Sequence, residues 1–100
     1  MNFQILAQKI IKKYNTTDVF AIAKQAGIDV IYEKWQPVTY GEFDKKNKTI
    51  CINLNAPLSI EHILAHELGH FFIHQMSIEL NKKDEENIVE DFARFMVAHI

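Results

Sequence analysis

The sequence contains few residues that crosslink or interrupt a chain: one cysteine, two prolines and three glycines among 100 residues. The single Cys51 excludes an internal disulfide and a cysteine-rich zinc knuckle, and it is in keeping with a reducing compartment. No apolar run approaches the roughly 18 residues of a membrane-spanning helix. The amino-terminal segment lacks the apolar stretch and cleavage site of a signal peptide. We therefore expect a cytoplasmic protein that makes no contact with a membrane.

A strong charge of either sign is also missing. Eleven basic side chains stand against thirteen acidic ones, for a formal net charge of -2. This balance argues against direct binding of nucleic acid, which requires a basic surface. The carboxylates are concentrated in residues 49–100, where eight acids accompany only three basic residues. With 48% hydrophobic residues, the chain has the composition of one small globular domain over residues 1–100.

Hydrophobic periodicity predicts an α+β domain in which a small antiparallel sheet of about three strands packs with helices. The helix that follows Asn55 or Ser59 is apolar nearly all round, which places it in the interior. Tyr32 is expected on the buried face of the first strand. The predicted helices cover residues 3–14, 19–26, 60–75 and 84–100, and the predicted strands cover 28–33, 38–43 and 49–54, the last two forming a hairpin.

The apolar helix contains the pentapeptide His66-Glu67-Leu68-Gly69-His70. Histidines four residues apart lie about 40° apart around a helix, so both imidazoles can reach one zinc ion at about 2.0 to 2.1 Å. Glu67 would lie beside the metal and accept a proton from its water. A shuffled chain of this composition contains H-E-x-x-H with a chance of roughly 2%, which favours a metal site over hydrogen-bonded core histidines. The motif on a buried central helix predicts a zincin-like domain.

Two histidines leave a zinc ion in need of a third protein ligand. The further Gly and His of a metzincin are missing at the required positions, which leaves a carboxylate of the last helix. There Glu86 and Glu90 lie about 40° apart on a face of small apolar residues. We predict Glu86 as the third ligand and Glu90 as the acceptor for the second ring N–H of a zinc histidine; the reverse assignment stays open. The alternative is that the acids of this helix only interact favourably with the helix dipole at its amino-terminal end, and this accounts for Asp84 and Glu85.

The H-E-x-x-H segment, the acidic last helix and several other stretches resemble the ImmA/IrrE-type metallopeptidases, zinc-dependent proteins often encoded beside phage-like or Xre-type repressors. The family pattern E-x-x-A-[ND]-x-F-A is matched at Glu86, with Val89 in place of Ala and Glu90 in place of Asn or Asp. The resemblance implies that Glu86 is the ligand and that a helix-turn-helix regulator is the substrate or partner. It covers residues 23–30 (AKQAGIDV), 40–43 (YGEF), 50–53 (ICIN), 63–74 (ILAHELGHFFIH) and 86–96 (ENIVEDFARFM).

Peptide hydrolysis at such a centre needs a further donor to the developing oxyanion, and Tyr40 and His74 are the candidates. For His74 the resemblance favours the alternative of a structural hydrogen bond. The strand over residues 49–54 leads into the metal helix, so we expect its edge to hold a substrate as an added strand. Gly41 and Gly69 indicate places where another part of the chain passes close to the backbone. His62 is interpreted as a histidine at the surface or rim of the site.

Two functions are compatible with these residues. The first is a zinc-dependent endopeptidase that cleaves a protein substrate, in which His66, His70 and Glu86 hold Zn²⁺ and Glu67 is the base. The second is a zinc-stabilised module of a regulatory or toxin system that binds its partner with little or no hydrolysis. A Glu67→Gln variant separates them, because only the enzyme depends on that carboxylate.

Overall fold

The computed structural model describes residues 1–36 and 39–99. Within them the chain forms four helices and three strands, which confirms the predicted α+β class. The predicted second strand began at Val38, which lies outside the described residues together with Pro37 and Ile100. The elements are α1 (Phe3–Tyr14), α2 (Val19–Gln25), β1 (Asp29–Glu33), β2 (Gly41–Asp44), β3 (Thr49–Asn53), α3 (Ile60–Gln75) and α4 (Lys82–Ala98).

Each helix begins after a short polar residue whose side chain accepts a hydrogen bond from a first-turn amide: Asn2, Asp18, Ser59 and Asn81. For α3 the cap is Ser59 and not Asn55, and its Oγ accepts from the backbone N–H of His62 at 3.1 Å. Asn81 accepts from the N–H of Asp84 at 2.8 Å. This cap explains why α4 begins before the predicted Asp84.

The sheet is mixed, which corrects the prediction of an antiparallel one. β3 lies in the centre, antiparallel to β2 in the predicted hairpin but parallel to β1. After β1 the chain crosses over, so β2 lies on the far side of β3. Periodicity reports which side chains are buried and carries no information on the order in which strands pair. The strand count was therefore predictable and the strand order was not.

The central position of β3 also shows that one functional expectation is wrong. The backbone of residues 49–53 pairs with β1 on one side and with β2 on the other. The prediction that a substrate adds as a strand to residues 49–54 is therefore wrong, because neither edge of β3 is free. The strands at the outer positions of the described sheet are β1 and β2.

The core lies around α3, which packs against α2, α4, β2 and β3. Eight of its residues are buried, among them Leu64, Leu68 and Phe72, and the sheet adds the buried Ile50 and Ile52. This position agrees with the prediction that the apolar helix is central. None of the helices in the described part of the chain has the length and apolarity needed to cross a bilayer.

Tyr32 does not lie in the core, contrary to expectation. It is 44% exposed, whereas Ile28, just before the strand, is buried. β1 is an outer strand whose helical neighbour is α2. Of the apolar side chains that alternate along this segment, only the first, Ile28, is fully buried.

Gly69 lies where α4 passes closest to α3. A Cβ at this position would lie 2.9 Å from Val89 Cγ1 and 3.3 Å from Phe92 Cδ2. We expect Gly69→Ala to destabilise the protein, because overpacking costs about 1 to 3 kcal/mol and exceeds the helix-propensity gain of about 1 kcal/mol. Urea unfolding of Gly69→Ala alone and combined with Val89→Ala measures this, since Val89→Ala removes the nearest methyl. A Gly69→Ala variant equally costly in both backgrounds would contradict the assignment.

Candidate metal centre

The histidines of the H-E-x-x-H motif lie one turn apart on α3 and face the first turns of α4. The centroids of the His66 and His70 rings are 5.1 Å apart. Glu86 reaches both rings, with Oε2 at 3.3 Å from His66 Nε2 and Oε1 at 3.0 Å from His70 Nε2. One ligand atom from each of the three residues lies within 4.8 Å of the other two. The structure therefore brings together the three predicted metal ligands.

The second ring nitrogen of each of these histidines faces another carboxylate of α4. His66 Nδ1 lies 3.2 Å from Glu90 Oε2, and His70 Nδ1 lies 2.5 Å from Glu85 Oε2. An ionised carboxylate only accepts hydrogen bonds, so Nδ1 carries the proton in both rings. In the neutral form of each ring, the Nε2 atom that faces Glu86 is then unprotonated, and this is the tautomer that a metal-binding histidine requires.

This arrangement leaves three electron-pair donors directed at one another. The two Nε2 atoms and the Glu86 carboxylate have no hydrogen to share unless a proton or a cation enters between them. Two imidazoles and one carboxylate form a donor set that zinc uses in catalytic sites, with a fourth position for water. The residues of this cluster therefore fit a divalent metal ion, and the fit follows from the donor chemistry of the described residues.

The predicted acceptor Glu90 is shared between two histidines. Its Oε1 lies 2.6 Å from His62 Nε2 while its Oε2 accepts from His66. Burial raises the pKa of Glu90, but the hydrogen bonds from His62 and His66, together with the positive charge of each ring when it is protonated, outweigh this effect and hold the pKa below its usual value. Glu90 therefore remains ionised and faces Nδ1 of His66, whereas Glu86 faces the Nε2 atoms.

Glu67 lies on the sheet side of the same helix turn. Burial raises the pKa of its carboxyl, the nearby His70 and His66 lower it, and the charges of Glu86 and Glu42 raise it further. The backbone of β2 passes directly over it, since a Cβ at Gly41 would lie 3.1 Å from Glu67 Cγ. A partly desolvated carboxyl next to a metal cluster is suited to proton transfer.

Glu67 and His66 border an open cleft of about 370 Å³ between β2 and the two metal-site helices. Of the two predicted oxyanion donors, Tyr40 lines this cleft and His74 does not. His74 is 48% exposed, with Nε2 3.3 Å from Glu85 Oε2. The lining residues are Thr39, Tyr40, Gly41, Leu58, His62, Ile63, His66, Glu67 and Glu90.

Asn53 is a site residue that the sequence analysis missed. It is buried, and its Nδ2 donates to the carbonyl of Thr39 at 3.0 Å while its backbone N–H donates to the carbonyl of Tyr40 at 2.9 Å. Its Oδ1 accepts from the N–H of Trp35. The side chain thus fixes both ends of the crossover that carries Tyr40 to the cleft. The signal available in the sequence was an asparagine directly after the apolar residues of a predicted strand, where a polar side chain needs hydrogen-bond partners.

Glu85 was also misjudged. Its side chain is only 14% exposed and lies between His70 and His74, although the sequence analysis assigned it to the helix dipole alone. At about 100° per residue, Glu85 falls on the same face as Val89 and Phe92, both of which are buried. An acid on the buried face of a helix needs a partner, and this is the signal that could have identified it.

Gly41 sets the approach of β2 to the metal helix. A Cβ there would lie 2.7 Å from Cγ2 of Ile63, a buried residue. We expect Gly41→Ala to cost about 1 to 3 kcal/mol of stability, because β2 must move away from α3. Denaturant unfolding measures this cost, which should shrink when Ile63→Ala removes the obstructing methyl. Full stability of the single Gly41→Ala variant would refute the close approach.

Comparisons with known proteins give two matches. The peptidase family described as the IrrE N-terminal-like domain matches residues 23–100. "Uncharacterized immunity region protein 2" of Bacillus phage phi105 is 35% identical over 72 residues, which cover 67% of this chain and 44% of the relative. The chain thus spans less than half the length of that relative. No solved structure matches the chain significantly.

Proposed function

Since the chain belongs to the IrrE N-terminal-like domain family of peptidases, we propose that it is a zinc-dependent endopeptidase. The observation that carries the proposal is the convergence of two histidine Nε2 atoms and a carboxylate beside a half-buried Glu67, at a place where His66 and Glu67 border an open cleft. His66, His70 and Glu86 would hold the zinc ion. Two carboxylates that fix the histidine tautomers support this assignment.

Held by His66, His70 and Glu86, a zinc ion would lower the pKa of bound water toward about 7 and would polarise a peptide carbonyl. Glu67 accepts a proton at its carboxylate and returns it to the leaving amine. Its position beside His66 at the cleft supports this role. Tyr40, on the wall of the same cleft, is the proposed donor to the carbonyl oxygen.

The strand to which the substrate is proposed to add is β2, and not β3 as the sequence had suggested. β2 occupies an outer position in the described sheet, and its first residue, Gly41, lies against Glu67. An extended peptide that pairs with this edge brings its backbone carbonyls past the cleft. The close approach of Gly41 to α3 places this edge of β2 beside Glu67.

The proposed substrate is a helix-turn-helix regulator encoded near this protein. This choice follows from the resemblance to the ImmA/IrrE-type metallopeptidases, which are often encoded beside such regulators. The test is incubation of the zinc-loaded protein with that regulator, followed by intact-mass spectrometry. Fragments that chelation prevents are the expected result. A stable complex without fragments would refute the peptidase and favour the zinc-stabilised binding module.

A further inference from the structure

The histidines of α3 and the carboxylates of α4 form one continuous series of contacts. His62, His66, His70 and His74 follow each other at four-residue intervals, and each neighbouring pair shares one glutamate. Glu86 joins the central pair through Nε2, where a metal ion fits. In chain order along α3, the series is His62, Glu90, His66, Glu86, His70, Glu85 and His74.

The two ends of this series are not equivalent. His62 is 15% exposed, and its Nε2 lies 2.6 Å from Glu90 Oε1. His74 is 48% exposed, and its Nε2 lies 3.3 Å from Glu85 Oε2. Exposed ion pairs contribute little, because water and salt screen them. The His62 end is therefore the one expected to restrain its glutamate.

Glu90 is held at both of its oxygens. Oε1 accepts from His62 and Oε2 accepts from His66, so any rotation of the carboxylate breaks both contacts. Arg94 adds only a distant contact, 3.6 Å from Oε1, and its side chain is 70% exposed. A shorter aspartate at this position would lack the methylene that lets one carboxylate span the two rings. His62 thus holds the Glu90 carboxylate in place, and that carboxylate in turn holds the His66 ring.

We propose that His62 is a positioning residue of the metal centre, which acts through Glu90 to hold the His66 ring with Nε2 directed at the ion. The inference rests on the zinc site of the proposed function but not on peptide hydrolysis. Partners that orient metal-binding histidines typically change metal affinity about 10- to 100-fold when they are removed. Because His62 acts through Glu90, we expect the lower end of this range.

The test is zinc affinity, measured by competition with a chromogenic chelator. His62→Leu should weaken zinc binding about tenfold, whereas His62→Gln should bind nearly as tightly as the wild type because its amide N–H can still donate to Glu90. His74→Leu is the matched control at the exposed end and should leave the affinity unchanged. The absorption spectrum of the cobalt-substituted protein reports the geometry independently and should change only in His62→Leu.

A second background separates positioning from a general loss of stability. In a Glu90→Gln protein, whose amide no longer accepts from both rings, His62→Leu should cause little further loss of zinc affinity. Wild-type affinity in His62→Leu, or an undiminished loss in the Glu90→Gln background, would overturn the inference alone. Failure of the wild-type protein to bind zinc would overturn the proposed function and this inference together.

Discussion

Replacement of Glu67 by Gln is expected to abolish peptide hydrolysis and to leave zinc binding intact. Gln keeps the size of the side chain but cannot accept a proton, and general base catalysis typically contributes about 10²- to 10⁴-fold to the rate. Zinc should remain because the three ligand atoms belong to other residues. The measurement is the cleavage rate of the regulator by mass spectrometry, with zinc content determined in the same samples.

The same substitution also has a stability effect of defined sign. Burial raises the pKa of Glu67 in the folded, metal-free protein above its value in the unfolded chain. The free energy of unfolding therefore falls as the pH rises from the unfolded-state pKa to the folded-state pKa, and the loss persists at pH values above both. Gln has no such cost. Metal-free Glu67→Gln should therefore be more stable than the wild type at pH 7 and gain no advantage in acid. Unchanged cleavage by this variant would refute the assigned base.

Zinc is expected to stabilise the folded protein strongly. A ligand that binds only the folded state at a thousandfold excess over its Kd adds about 4 kcal/mol. For a domain of this size, that corresponds to a rise in Tm of roughly 15 to 30 °C. Thermal unfolding followed by circular dichroism, in chelator and in excess zinc, measures the effect.

Ligand variants decide whether the stabilisation comes from the proposed centre. His66→Ala and Glu86→Ala should lose most of the zinc response, since each removes one of three ligand atoms. Glu79→Ala, which removes an exposed carboxylate, is the control and should respond like the wild type. An equal response to zinc in Glu86→Ala would show that the ion binds elsewhere.

The sequence predicted the elements of the fold better than their arrangement. Helix caps, apolar periodicity and the polar turn of the hairpin are local signals, and the helices and the hairpin follow them closely. The parallel pairing of β1 with β3 depends on contacts between distant segments, which no local pattern encodes. The buried interpretation of Tyr32 was wrong for the same reason, because alternation does not reveal which strand is outermost.

For the candidate site, the predictable part was the geometry along single helices. The spacing of His66 and His70 and the face of Glu86 follow from helical periodicity, and the structure places these groups together. The sequence offered signals for Glu85 and Asn53 as candidates, but their partners depend on which buried surfaces meet. His74 contacts Glu85 and does not line the cleft, and a regular histidine series gives no information on which side of α3 the cleft lies.

All three proposed ligands belong to α3 and α4, which follow each other in the chain and form the most extensive helix contact of the fold. The ion thus closes a short loop and costs little chain entropy to enclose. The ligand set is therefore contained in one helical hairpin, and the geometry of the proposed ion site depends on the packing of α3 against α4.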